Sequence, residues 1–381
     1  MALTILTPDS LCFAGNPIVV KATTDKSLGA EESFLRIVLS ASFRTAVYTD
    51  IPSYSLELSC PVENKGTAVF NLSDGAQTLV QRIMATIDMN SSDETPSGHG
   101  WMKPSSVICE YTLSEVWVRD AVEHESKDSG SYTFRVVPGH LTDFEMLTMD
   151  DITVSTGMVS KPMSRKPDMG IVYNGETVIL PMISPYSNTP AFSIQVGETT
   201  VVSVSGSSYL SERALDYHWG KVSHTADGEL TVKSSYVGSK KGYFRTNTHG
   251  VHFLRFINGF GAVENIAVRA KDKLSYEVSG ETHSLVQGAT TRPTDRRYAT
   301  KSQPVGVYEL SSGYVPKQWA EWYVQELLTS PRVWIQLGGK WVPALIEAED
   351  DCVIYDRTKP EMPHVDFTLR LAIDGVTGIT W

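Results

Sequence analysis

The sequence predicts a mainly β protein made of two or more sandwich- or barrel-like modules, with a few short helices, one near 73–87 and one near 316–329. Three observations carry that expectation. Short runs rich in β-branched residues recur between polar turn clusters along the chain. The stretch from Val365 to Leu371 alternates apolar and polar residues without a break. The 381 residues also suffice for two or three separate cores.

NPIVVKATT (Asn16 to Thr24), SFLRIVLSASF (Ser33 to Phe43) and YSLELSCPV (Tyr54 to Val62) read as strands. Glu63 to Gly66 reads as a turn, with Asn64 and Gly66 suited to positive φ. SDGAQTLVQRIMATI reads as a helix, with Ser73 or Asp74 as its N-cap and Leu79, Ile83 and Ile87 on one face. VICEYTLSEVWVRDAVE and SGSYTFRVVPG read as a strand pair split by the charged turn HESKDSG. Together these make an N-terminal sandwich-like domain over residues 1–157, with its strand signals ending near Gly139. Residues 158–170, proline-containing and basic, read as a linker or exposed loop.

A C-terminal, mainly β domain follows over 171–381, with a subdivision near 235. In IVYNGETVILPMI, Asn174–Gly175 is the strongest short hairpin signal of the chain. PKQWAEWYVQELLTS reads as a helix with Pro316 in its first turn. It carries Trp319, Tyr323 and Leu327 on one face, widened by Trp322, with Glu321 and Glu326 on the other side. RVWIQLGGKWVPALIEAE reads as a hairpin on Gly338–Gly339 that pairs Leu337 with Lys340 and Ile335 with Val342. In the last strand Val365, Phe367, Leu369 and Leu371 point one way, and Asp366, Thr368 and Arg370 the other.

Composition narrows the function. With 41% hydrophobic and 20% charged residues the chain is no disordered segment. Its 33 basic and 44 acidic residues leave a net charge of −11. Lys240–Lys241 and Arg296–Arg297 are no more than short pairs, so nucleic acid is not expected as a partner. The first residues, MALTILTPDSLCFAG, lack the features of a signal peptide, and no apolar run approaches membrane-spanning length. Membrane insertion is therefore not expected. Cys12, Cys60, Cys109 and Cys352 form no C-x-x-C pair; their even number permits two disulfides without demanding them, and they are expected to be reduced and mostly buried.

No motif points to catalysis. His249 and His252 fall short of a zinc set and, three apart on a strand, face opposite ways. Asp150, Asp151 and the run Glu347, Glu349, Asp350, Asp351, Asp356 read as acidic turns rather than a glycosidase pair. G-x-S-x-G and the phosphate-binding G-x-x-x-x-G-K-[ST] are absent, and NGFGAVENIAV has only part of a nucleotide fingerprint. No catalytic residue, metal ligand or cofactor is expected, and the chain is not read as an enzyme. The aromatic set Trp219, Tyr243, Phe244, Trp319, Trp322, Tyr323, Trp334 and Trp341 suits either core and interface packing or sugar stacking. The terminal Trp381 calls for something to pack against, which favours a partner subunit.

HFLRFINGFGAVENIAV resembles the L-R-W-x-N-x-x-G strand-turn-strand of tail proteins from phages and prophages of Bacteroidetes. The order of a short amphipathic helix, LLTSPRVWI, a glycine turn, KWVPALIE, an acidic turn and HVDFTLRLA is also similar to theirs. The resemblance covers about Gly242 to Ala372, and FAGNPIVVKAT adds a looser likeness over Phe13 to Arg82. Phe256 stands where the pattern often has tryptophan. The resemblance implies a virion structural protein of distal-tail or baseplate type. Such a protein assembles in the host cytoplasm as a homo-oligomeric ring, contacts other tail proteins and has no active site. A carbohydrate-binding or adhesive sandwich that contacts host-surface glycan is the alternative. Arg255, Phe256, Trp319, Trp322, Tyr323, Trp334, Trp341 and Trp381 are the expected interface or core anchors. In His249 to Lys273, Val251, Phe253 and Ile257 face one way and His252, Leu254 and Phe256 the other. That strand is expected to be buried on both sides, with Arg255 needing a partner.

Overall fold

The computed structural model describes residues 3–8, 11–45, 51–86, 89, 97–99, 106–128, 130–142, 145, 161–168, 170–183, 191–205, 215–234, 238–278, 282–284, 297–299, 304–347 and 363–372. They form a mainly β structure with several sheets and two short helices. Cys352, Ile87, Asp150, Asp151, Glu349, Asp350, Asp351, Asp356 and Trp381 lie outside the described residues.

The first module contains β1 (Thr4–Leu6), β2 (Leu11–Phe13), β3 (Val19–Thr23), β4 (Glu32–Thr45), β5 (Tyr54–Pro61), β6 (Thr67–Asn71) and α1 (Ser73–Ala85). After β7 (Ser97–His99) it continues with β8 (Val107–Arg119), β9 (Val122–Lys127) and β10 (Tyr132–Val137). One sheet runs β1-β3-β6 and the other β2-β10-β8-β4-β5, with β9 on the far half of β8. The core between them holds Val20, Ile37, Leu39, Phe43, Tyr111 and Phe134, and α1 adds Leu79, Val80 and Ile83. Helix α1 is capped from outside: Leu72 is the N-cap and makes no side-chain bond. The Asn71 carboxamide oxygen accepts the Ser73 and Ile18 N–H groups instead, which leaves Ser73 and Asp74 inside the helix.

Two turns of this module also differ from expectation. HESK is part of β9, and the turn sits earlier, at Asp120–Ala121, both with positive φ. Consecutive left-handed residues make the two-residue turn whose twist suits a hairpin. In Glu63 to Gly66 it is Lys65 that takes positive φ, and the Asn64 side-chain oxygen accepts the Leu28 N–H.

The second module contains β11 (Lys161–Pro162), β12 (Gly170–Tyr173), β13 (Thr177–Ile183), β14 (Phe192–Val196), β15 (Thr199–Val204), β16 (Leu215–Lys221), β17 (Gly228–Ser234) and β18 (Gly238–Arg245). Its sheets run β11-β13-β16-β7 and β12-β18-β17-β14-β15. Strand β7 thus crosses the boundary expected at 157. Residues 161–168 are no exposed loop: β11 pairs with β13, and Met163 is buried. Asn174–Gly175 does form a turn, with Gly175 at φ +85, yet it joins no hairpin. Gly175 N–H bonds Val222 and β13 pairs with β16, while β12 lies parallel to β18 in the facing sheet. The change to the third module comes after β18, at 246–250. Position 235 lies outside the described residues, and the strands that precede and follow it, β17 and β18, pair with each other.

The third module is a closed barrel of β19 (Val251–Ile257), β20 (Val263–Val278), β23 (Pro304–Ser311), β24 (Val333–Leu337), β25 (Lys340–Glu347) and β26 (Asp366–Leu371). The short pair β21 (Thr282–Ser284) and β22 (Arg297–Ala299) stands apart from it. The Gly338–Gly339 hairpin has the expected register, Leu337 opposite Lys340 and Ile335 opposite Val342, and the alternation of β26 is as expected. Helix α2 (Lys317–Trp322) starts after Pro316, which is its N-cap rather than its first turn, and passes into a π-helical turn, Tyr323–Leu327. The wider turn rotates Glu326 off the solvent side expected for it, and Glu326 is 2% exposed.

Candidate interface at the junction of three modules

The hairpin β19–β20 stands between the barrel and the other two modules. Leu254 and Phe256 point into the barrel core, whereas Phe253 and Ile257 belong to a second cluster outside it. That cluster draws on all three modules: Leu11 and Phe13 from the first, Tyr217 and Trp219 from the second, and Phe260, Trp334 and Trp341 from the third. Burial on both sides therefore holds from Leu254 to Ile257, while Val251 to Phe253 are half-buried.

The glycine-rich corner after β19 explains how backbones meet there. Asn258 closes the turn by accepting from Gly261 N–H, and its side chain bonds Ala262 N–H, the Met163 carbonyl and Glu264. Gly259 O accepts from His140 N–H of the first module at 2.8 Å. Gly139 has φ +88, and a Cβ there would lie 2.0 Å from the Phe260 backbone. Gly261 has φ +72, and its Cβ would meet Pro138 at 2.2 Å. Glycine is required on both sides of this contact, by conformation and by space.

Arg165 is the ionic centre of the junction. Its guanidinium makes a bidentate pair with Glu145, at 2.7 Å to each oxygen, and donates to Glu326 at 2.5 Å and to the His140 carbonyl at 3.1 Å. It also lies 4.1 Å over the Phe260 ring. Glu326 accepts Gly259 N–H with its other oxygen, at 2.6 Å. Burial pushes the Glu145 carboxyl up, but bonds from Arg165 and Thr142 outweigh it and hold the pKa at about 2. Burial likewise opposes the Arg165 charge, and the two carboxylates more than offset it.

A second polar set ties the middle module to the barrel. Asn265 receives Ile179 N–H and donates to Glu176, which also accepts Tyr173 N–H. Lys166 donates to the Asn265 carbonyl. Burial raises the Glu176 carboxyl to about 7, with Lys166 and the Tyr173 amide offsetting only part. Glu264 is raised for the same reason, and Lys166 is lowered by burial.

Beside the junction opens a cleft of about 910 Å³, lined by Gln77, Gln81 and Met84 of α1 and by His140, Gly259 and Arg332. Arg332 crosses it to donate to the Met84 carbonyl.

Most expected anchors are core or junction residues. Arg255 is fully buried and stacks 4.0 Å over the Trp341 ring, so its contact lies within the chain. Phe256 meets Trp322 edge-on at 5.6 Å, and Trp319, Trp322 and Tyr323 form a packed aromatic group. Trp334 and Trp341 are buried in the inter-module cluster. Trp219 and Phe244 are buried as well, while Tyr243 is exposed. The histidines do not converge: His252 packs on Tyr308, and His249 is exposed in the preceding turn. Among the described residues no group of three or more metal-ligating side chains comes together. Cys12, Cys60 and Cys109 are in no disulfide, and burial pushes Cys109 up to about 12. Sequence reasoning passed over Arg165 and Glu145, set Glu326 on the solvent side and read Gly139 only as the end of the strand signals. The one local signal was Thr142-x-x-Glu145, a capping box in which Glu145 accepts Thr142 N–H and the Thr142 hydroxyl accepts Glu145 N–H.

No family model and no curated protein matches the chain. Among solved structures, E. coli alpha-2-macroglobulin aligns at 8% identity and TM-score 0.23, over 81% of this chain and 21% of that one. Dimeric latent PorU from Porphyromonas gingivalis aligns at 10% and 0.23, over 90% and 33%. The CsuC–CsuE chaperone–tip adhesion subunit complex of Acinetobacter baumannii aligns at 8% and 0.20, over 65% and 100%. This chain thus spans about a fifth of the macroglobulin it matches. Scores this low transfer neither topology nor function.

Proposed function

We propose that the chain is a non-catalytic structural subunit of a phage or prophage tail, of distal-tail or baseplate type. In this reading it works by self-assembly and by contacts with other tail proteins, in a virion assembled inside the bacterial host. The observation that supports it best is the place of the tail-like hairpin. The same residues that resemble tail proteins, His252 to Val268, form the spine against which both other modules are fastened, through Gly259, Phe260 and Asn265. A subunit that transmits load between neighbours needs rigid modules joined by buried contacts, which this arrangement supplies. Mass photometry and negative-stain imaging of the purified protein test the proposal. Closed, symmetric oligomers at micromolar concentration are expected; a strictly monomeric protein counts against it.

The adhesive reading keeps one specific support. Tyr314, 71% exposed, and the half-buried Trp319 flank a groove of about 420 Å³ between β12 and the barrel. Exposed aromatic faces of this kind stack on sugar rings. Glycan-array binding that disappears in Tyr314→Ala supports the reading, and silence across the array removes it.

A further inference from the structure

The sheets of the first two modules end in edges, and three of these are guarded. Strand β9 carries Glu123, His124, Glu125 and Lys127 along its length. Strand β15 is interrupted by a bulge opposite Ile194 and Gln195. Strand β12 has four residues, and its Tyr173 N–H is taken by Glu176. Charges, bulges and short length are the usual means of keeping an edge from pairing with another chain.

Strand β5 is less protected. Its eight residues pair in unbroken register with β4 alone among the described residues, Glu57 is its one charge, and Pro61 stands at its last position. Its inward side chains Tyr54, Leu56, Leu58 and Cys60 are half-buried, though directly opposite them Phe43, Ala41, Leu39 and Ile37 are buried. The apolar core therefore runs out at β5 with four side chains partly open to solvent. On the other face a recess of about 440 Å³ is lined by Ser40, Ser42, Ser55, Glu57, Glu110 and Thr112. Arg44 bonds one oxygen of Glu110 at 3.2 Å, which leaves Glu57 as the carboxylate of the recess beside β5; Ala41, Leu56, Tyr111 and Ser131 complete its lining.

We infer that β5 is a docking edge for an extended segment of a different protein, apolar at alternate positions with lysine or arginine between them. The added strand completes the backbone pairing of β5 and covers Tyr54, Leu56 and Leu58 with its apolar side chains. Its basic side chain enters the recess beside Glu57. A second copy of β5 fits this edge poorly. An antiparallel self-pairing centred on Glu57 sets two carboxylates face to face, in a chain of net charge −11. The inference rests on the assembly reading only in taking the occupant to be a protein neighbour.

The test uses the full chain with two short capped peptides, one alternating valine with lysine and one alternating valine with glutamate. Hydrogen exchange is expected to slow over Tyr54–Pro61 on adding the lysine peptide. That peptide is also expected to bind about three- to fivefold tighter than the glutamate peptide, the size of one cross-strand charge pair. Glu57→Lys, at an exposed position, is expected to reverse the preference. No slowing at Tyr54–Pro61, slowing elsewhere alone, or equal affinities that Glu57→Lys leaves unchanged overturn the inference. A monomer that still binds the lysine peptide at β5 contradicts the assembly reading instead, so the two failures are distinguishable.

Discussion

Arg165→Met removes the ionic centre of the junction while keeping most of the side-chain volume. It deletes the two bonds to Glu145, the bond to Glu326, the bond to the His140 carbonyl and the stacking on Phe260. Glu326, 2% exposed, is left with Gly259 N–H as its hydrogen-bond donor. Removing one partner of a buried pair costs about 3–5 kcal/mol, chiefly through the stranded charge. The double variant Arg165→Met/Glu326→Gln neutralises that charge and is expected to recover about 2 kcal/mol. Acid provides an independent check. Glu145 is held at about 2 against an ordinary 4.5, so its contribution is present above about pH 4.5 and lost as pH falls towards 2. That shift corresponds to at most about 3 kcal/mol. Urea unfolding followed by tryptophan fluorescence reads both effects. The wild type is expected to be much the more stable near pH 7 and to approach the variant in acid. A variant within about 1 kcal/mol of wild type near pH 7, or a gap that acid leaves unchanged, refutes the reasoning.

Gly139→Ala places a methyl into the Phe260 backbone from a left-handed residue, and is expected to cost more than about 3 kcal/mol. Gly197→Ala, also left-handed but with open space around it, should cost only about 1–2 kcal/mol; equal midpoints in urea would contradict the close-approach account. Glu176 has its pKa raised to about 7, so its contribution is fully present below about pH 4.5 and lost as pH rises through about 7. Thermal melts should show wild type losing up to about 3 kcal/mol over that range, with Glu176→Gln losing less. Trp341→Leu uncovers the buried Arg255 guanidinium and should cost about 3 kcal/mol, read from the urea midpoint.

The barrel was legible because its strands state their own register. Val365 to Leu371 alternates cleanly, and the paired glycines at 338–339 leave one hairpin register that puts Ile335 and Val342 on the same face. The junction was not legible, for reasons of distance and geometry. Arg165 lies 20 residues from Glu145 and 161 from Glu326, and a basic proline-containing run has no local mark that separates a solvated loop from a buried ion pair. Helical periodicity misplaced Glu326 because it assumes 3.6 residues per turn, and the chain widens to a π turn one residue after Trp322. Asn174–Gly175 misled in the opposite way. The dipeptide specified a turn correctly, but the partner of each flanking strand was set by sheet packing that lies elsewhere in the sequence. The same corner, Asn258 to Gly261, was visible as a turn; that it is the meeting point of three modules follows from Gly139 and His140, over a hundred residues earlier, and from Met163, 95 residues earlier.

The central claim is that the three modules are fastened into one unit through the corner Asn258 to Gly261 and Arg165. Hydrogen exchange of the wild type and Arg165→Met, followed by mass spectrometry, tests it most directly. In the wild type, Gly259 and His140 amides should exchange as slowly as the barrel core, and in the variant they should become fast while β24 and β25 stay protected. Fast exchange at Gly259 and His140 already in the wild type would contradict the account.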